Sequence, residues 1–126
     1  MRVVEMTKIV APGGKHIILE LDNCDAEWLR NVDSIQKTLE QAAQKSDATI
    51  LHTYMHHFGG EYGVTGLVAL AESHISIHTW PESNYCAIDI FMCGQCDPMI
   101  AADHIVQSLQ CISNITIIAR KSQNSA

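Results

Sequence analysis

Positive charge is scarce in this chain, with eight Lys and Arg against fourteen Asp and Glu and a formal net charge of −6. Nucleic acids are held by clustered cationic side chains, and no such cluster occurs, which argues against a nucleic-acid partner. Long apolar runs are missing as well. None approaches the roughly 20 residues of a spanning helix, so no membrane segment is expected. Met1, Arg2, Val3 and Val4 are followed by Glu5 and Lys8 before a signal-type apolar stretch can develop. Five cysteines, an odd number, do not make a paired disulfide framework, and a reducing cytoplasm is the expected compartment. Repeats, linkers and low-complexity segments are absent, so residues 1–126 read as a single domain.

What is present suits a small soluble fold, since 47% hydrophobic against 17% charged residues supplies a normal globular core. A domain of this size buries only about two thirds of its unfolded surface, and a second subunit often completes its deep pockets, which favours a homo-oligomer.

Residues 1 to 12 read as an extension ending at the turn Ala11, Pro12, Gly13, Gly14. Lys15 to Leu21 is a strand too apolar for a solvated edge. Asn23 or Asp25 caps a helical turn through Trp28 and Leu29. Asp33 offers the N-cap of a longer helix that places Ile35, Leu39 and Ala42 on one face and ends near Lys45. A strand from Ala48 to Tyr54 precedes the loop Phe58 to Gly63, whose glycines permit close backbone approach to a ligand. Thr65 to Ala71 and His74 to Trp80 are β-patterned, and in the second Ile75 and Ile77 alternate with His74, Ser76 and His78. Pro81 to Asn84 turns the chain into a strand from Tyr85 to Met92. Asp97 and Pro98 then open a helix to about Gln110, Ile112 to Ala119 is the last strand, and Lys121 to Ala126 frays. The order predicts an α+β fold, a two-layer sandwich of a mainly antiparallel sheet with helices on one face.

Three chemistries compete for the stretch between Glu72 and Cys96. Cys93, Gly94, Gln95, Cys96 is a CxxC between a strand and a helix, the setting of a redox dithiol, but too little chain follows to complete a thioredoxin-like fold. Zinc held by Cys93 and Cys96 with His74 or His78 is the second. Two histidines four apart on a strand cannot both reach one ion, no HExxH or second CxxC exists, and no metal is expected. The same spacing, about 13 Å of strand, leaves His52, His56 and His57 as strand and loop histidines. Self-processing at Ser73 is the third, although by residue type alone a serine beside a glutamate belongs to a turn or a surface.

The order Gly63, Val64, Thr65, Gly66, then Ala71, Glu72, Ser73, His74, Ile75, Ser76, Ile77, His78, Thr79, Trp80, Pro81, Glu82, then Asp89, Ile90, Phe91, Met92, Cys93, Gly94 resembles the prokaryotic S-adenosylmethionine decarboxylase proenzymes, a pyruvoyl-dependent family. Weaker likeness runs from Gly14 and His16 through the first long helix and again at Asp97 and Pro98. The resemblance implies that Ser73 attacks the carbonyl of Glu72 and that elimination and hydrolysis leave a covalent pyruvoyl group at position 73. A β chain, residues 1 to 72, and an α chain beginning at 73 result. His78 matches the processing base and Thr65 an assisting hydroxyl. The pyruvoyl ketone is then expected to form a Schiff base with S-adenosylmethionine and act as electron sink for decarboxylation, with Cys93 as proton donor.

The product implied is the aminopropyl donor for spermidine. Phe58 is the candidate for the sulfonium and adenine, Glu82 for the ribose hydroxyls. A homodimer with active sites near the interface is the expected assembly. The loop between Phe58 and Gly63 is one residue longer than in many relatives, and Cys86 and Cys96 are unusual at their positions. None of these touches Ser73, His78 or Cys93, but the loop lines the pocket, so they bear on substrate identity and not on the cofactor; the alternatives are the same scaffold acting on ornithine or arginine and, further away, an unprocessed regulatory homologue.

Overall fold

The computed structural model describes residues 2–3 and 14–120. Apart from residues 2–3, the expected amino-terminal extension lies outside the described residues, as does the frayed end from Lys121. The elements are β1 (Arg2–Val3), β2 (Gly14–Asp22), α1 (Ala26–Leu29), α2 (Val32–Lys45), β3 (Ile50–His57), β4 (Val64–Leu70), β5 (Ser73–Trp80), a 3-10 turn (Pro81–Ser83), β6 (Tyr85–Cys93), α3 (Pro98–Leu109) and β7 (Ile112–Arg120). They form one sheet in the order β1-β7-β2-β6-β5-β4-β3. Every neighbouring pair is antiparallel except β1, which adds two residues to β7 in parallel. The α+β expectation holds, and β2 lies inside the sheet, as its apolar run requires.

Alternation along the strands sends one set of side chains to a single core. Ile17, Leu19 and Leu21 of β2, Val64 and Val68 of β4, Ile75 and Ile77 of β5, and Ile88, Ile90 and Met92 of β6 are all buried. They meet Ile35, Leu39, Ala42 and Ala43 of α2 and Ala101, Ala102 and Ile105 of α3. The helices therefore cover one face only. The other is left open by the described residues, and its side chains fall in rows read from the register: His16, Phe91, His74, Ala69; then Ile18, Asp89, Ser76, Leu67; then Glu20, Ala87, His78, Thr65. No helix among the described residues is long and apolar enough to cross a membrane.

Local signals set most boundaries. Asp25 accepts from the Glu27 amide at 3.2 Å, and Asp97 accepts from the Met99 amide at 2.9 Å with Pro98 first in the helix, as expected. The long helix starts earlier than its assigned cap. Asn31, in extended backbone, accepts from the Ser34 amide at 3.0 Å, while Asp33 sits in the first turn, where its charge complements the helix dipole. Strand β3 runs on past Tyr54, because pairing with β4 continues to His57 opposite Val64.

Gly63, at the end of the loop before β4, is fixed by contact. A Cβ built on it would lie 2.0 Å from the carbonyl oxygen of Thr79. Thr79 cannot retreat, since its hydroxyl accepts from the Val64 amide at 2.8 Å and donates to the Leu29 carbonyl. Gly63→Ala should therefore lower stability by about 2 kcal/mol, read as a drop in the urea midpoint at constant slope. An unchanged midpoint would contradict the close approach.

Candidate active site

The β4–β5 hairpin closes with Leu70 opposite Ser73, so only Ala71 and Glu72 make the turn. Glu72 has φ of 61°, the left-handed region that Gly or Asn usually occupies in turns. For a side chain such as glutamate this costs about 1–2 kcal/mol. The strain sits at the residue whose carbonyl leads into Ser73. Ala71 is tied down from outside the hairpin, its amide donating to the Thr49 carbonyl at 2.9 Å.

Strand β6 brings Cys93 to the same end of the sheet. Its Sγ donates to the Glu72 carbonyl at 3.3 Å, lies 3.7 Å from Glu72 Oε1, and is 3.9 Å from Ser73 Oγ. One thiol thus touches the carbonyl, the hydroxyl and the carboxylate of residues 72 and 73. Cys96, the other half of the CxxC, points away and donates to the Asp47 carbonyl at 3.5 Å. No three His, Cys, Asp or Glu side chains among the described residues are grouped to hold a metal ion.

Thr65 and His78 face each other across β4 and β5, with Thr65 Oγ1 3.1 Å from His78 Nδ1. They line a groove of about 450 Å³ whose walls include Phe58, Tyr62, Trp80 and Glu82. Trp80 stacks on Tyr85 with ring centroids 5.4 Å apart, and Phe58 meets His56 edge to face at 4.6 Å. Phe58, Tyr62 and Trp80 remain exposed, so flat aromatic faces are available at the rim. Backbone and carboxylate acceptors stand beside them, a lining suited to a flat, cationic small molecule.

The five catalytic candidates are therefore split. Ser73, Cys93 and Glu72 lie at one end of β5, while His78 and Thr65 lie toward the other with the two substrate candidates Phe58 and Glu82. Five residues of strand separate Ser73 from His78, about 16 Å, so the imidazole cannot serve the serine of its own chain. Trp80 and Tyr62 were not singled out from sequence, although Trp80 continues the outward alternation of His74, Ser76 and His78.

Between the two ends lies a polar cluster on the open face. Arg120 donates to His16 Nδ1 at 3.3 Å and lies over the Phe91 ring, 5.2 Å from its centroid. His16 Nε2 has no hydrogen-bond partner among the described residues and lies 3.7 Å from Asp89 Oδ1. Burial lowers the pKa of His16, outweighing the opposite pull of Asp89.

A model of the S-adenosylmethionine decarboxylase family matches residues 15–121. The chain is 42% identical over 99 residues to the S-adenosylmethionine decarboxylase proenzyme of Thermodesulfovibrio yellowstonii, covering 78% of this chain and 73% of that one. It is 45% identical over 104 residues to the proenzyme of the same name from Geobacillus kaustophilus, covering 82% and 83%. The crystal structure of the adenosylmethionine decarboxylase from Aquifex aeolicus superposes with a TM-score of 0.82 at 30% identity, over 93% of this chain and 98% of that one.

Proposed function

The chain belongs to the S-adenosylmethionine decarboxylase family, and from that premise we propose that it cuts itself between Glu72 and Ser73 and decarboxylates S-adenosylmethionine at the new amino terminus. The family makes its pyruvoyl group from a serine. The residues around Ser73 fit that origin, and the contact of Cys93 with both sides of the 72–73 bond is the observation that carries the assignment.

In the cut, Ser73 Oγ adds to the Glu72 carbonyl and the peptide C–N bond gives way to an ester. The Cys93 thiol donates to that carbonyl oxygen and so stabilises the charge that grows on it. The left-handed backbone of Glu72 raises the energy of the intact turn, and the strain is released when the bond opens. Elimination of the ester needs a base for the α-proton of residue 73, and hydrolysis then releases ammonia. His78, held by Thr65, is the residue type for that base.

His78 has to come from a second copy. Two chains packed through their open faces about a twofold axis, with strands running in opposite directions, set the groove of each against the Ser73 end of the other. The face that the described helices leave uncovered, with its half-buried His16 and its row of Phe91 and His74, supports this arrangement.

Once formed, the pyruvoyl ketone supplies the electron sink for loss of the substrate carboxylate. Phe58 and Trp80 then offer ring faces to the adenine and the sulfonium, and Glu82 accepts from the ribose hydroxyls. Cys93 holds a proton at Sγ beside residue 73 for the carbon left bare by carbon dioxide.

Intact mass of the purified protein should show two fragments, the second without a free amino terminus, and Ser73→Ala should give one full-length chain. Carbon dioxide should be released from S-adenosylmethionine and not from ornithine or arginine assayed in parallel. Release only from a basic amino acid would overturn the substrate. A wild-type chain that stays whole under all conditions would overturn the enzyme and favour the regulatory homologue.

A further inference from the structure

Three cysteines outside the active site lie together. Cys24 follows β2, Cys86 is on β6, and Cys111 opens the chain into β7. Cys24 Sγ and Cys111 Sγ are 2.9 Å apart, and Cys24 Sγ also donates to the Leu21 carbonyl at 3.4 Å. Cys86 is buried in the same core as Cys24, and Cys111 packs against that core. All are free thiols in this structure. Their positions are set by the backbone: the Cys24 amide donates to the Asn84 carbonyl at 2.8 Å, and Asn84 Nδ2 donates to the Cys24 carbonyl at 2.9 Å.

We propose that Cys24 and Cys111 form a reversible disulfide that ties the two fragments of the self-cleaved protein together. This rests on the cut between Glu72 and Ser73 proposed above. Cys24 is the sole cysteine of residues 1–72, whereas Cys86, Cys93, Cys96 and Cys111 all belong to residues 73–126. Any disulfide joining the two fragments must therefore pass through Cys24. Cys111 is the partner in sulfur contact with it.

The oxidant required is a peroxide. The Cys111 thiolate, half-buried where Cys24 and Cys86 are fully buried, attacks one oxygen of hydrogen peroxide and becomes a sulfenic acid, releasing water once the leaving hydroxide takes a proton. Cys24 then displaces the sulfenic hydroxyl as a second water, so two thiols and one peroxide give one disulfide and two waters. A thiol reductant reverses the step by exchange. In a reducing compartment both cysteines stay free.

Burial pushes the Cys24 thiol up to about 11 and the Cys86 and Cys111 thiols up to about 12. The thiolate is the reactive form, so the bond forms slowly near neutral pH and acts as a tie that accumulates, not as a fast sensor.

The test uses the purified, self-processed protein treated with hydrogen peroxide at mildly alkaline pH. Intact mass without reductant should show one species equal to the two fragments joined less two hydrogens, and dithiothreitol should return both fragments. Cys24→Ser and Cys111→Ser should each abolish the joined species, while Cys86→Ser keeps it. Peptide mapping of the oxidised wild type should recover the Cys24–Cys111 linkage, which does not depend on any variant folding. Fragments that stay separate after peroxide, or a link from Cys24 to Cys86, would overturn the proposal. If reduced wild type is a single uncut chain, the cleavage site fails and with it the role of the bond. Mapping the oxidised Ser73→Ala chain tests the thiol pair apart from cleavage: recovery of the linkage there upholds the pair, and its absence overturns it.

Discussion

Of two variants that each fail alone, Ser73→Ala is expected to rescue His78→Ala. Ser73→Ala lacks the serine to be cut, and His78→Ala lacks the base, slowing pyruvoyl formation by about 10²–10⁴-fold. Within one chain those side chains stand about 16 Å apart on a strand, too far for proton transfer in either variant. If the base is supplied across a twofold axis, a mixed dimer contains one site with both Ser73 and His78 and one with neither. Random pairing of equal amounts makes about half of all dimers mixed, so about half of the His78→Ala chains should process and none of the Ser73→Ala chains. The readout is intact mass after co-expression, with each variant carrying a distinguishable tag. No processing above that of His78→Ala alone would mean that base and serine act within one chain by a rearrangement the fold does not contain.

Cys93→Ala should separate making the cofactor from using it. Before the cut, the thiol gives the Glu72 carbonyl one weak hydrogen bond at 3.3 Å, so its loss should slow processing by no more than about tenfold. During turnover it is the proposed proton source, with Sγ 3.9 Å from Ser73 Oγ in the uncut chain, and removing a positioned acid should lower turnover by about 10²–10⁴-fold. A proton delivered to the wrong carbon instead transaminates the pyruvoyl group. Residual activity should therefore decay during the assay, with alanine appearing at the amino terminus of the second fragment. Full turnover by fully processed Cys93→Ala would remove the thiol as donor.

The parts of the fold that were legible rest on short-range rules. Ile75 and Ile77 alternate with His74 and His78 because a strand has period two, and that alone set which side faces the core. Asp97 and Pro98 announced a helix start because both act within their own turn. Asn31 and Asp33 are both capping types, and only the direction of the incoming chain, fixed by α1, chose between them. His56 and His57 carry no strand signal of their own and are strand because β4 pairs with them. The site divides in the same way. Its residues came from resemblance, since nothing local singles out Ser73, and the Cys93 contact joins positions 20 apart. The separation of Ser73 from His78 was readable from their spacing alone. What spacing could not hold is the arrangement proposed from it, in which another copy brings the base. The Cys24 and Cys111 contact, between positions 87 apart, has no local signal at all.

The strand order gives the proposed cut a further consequence. Residues 1–72 supply β1, β2, β4 and β3, and residues 73–126 supply β7, β6 and β5, so in the order β1-β7-β2-β6-β5-β4-β3 the two fragments alternate and meet along four ladders. β2 is held on both sides by strands of the other fragment. Each fragment alone keeps only one two-stranded ladder, β3–β4 or β5–β6, so the full sheet has to form before the bond is broken. A chain that folded once as a single molecule becomes, after maturation, a pair that can refold only by collision, at a rate set by concentration.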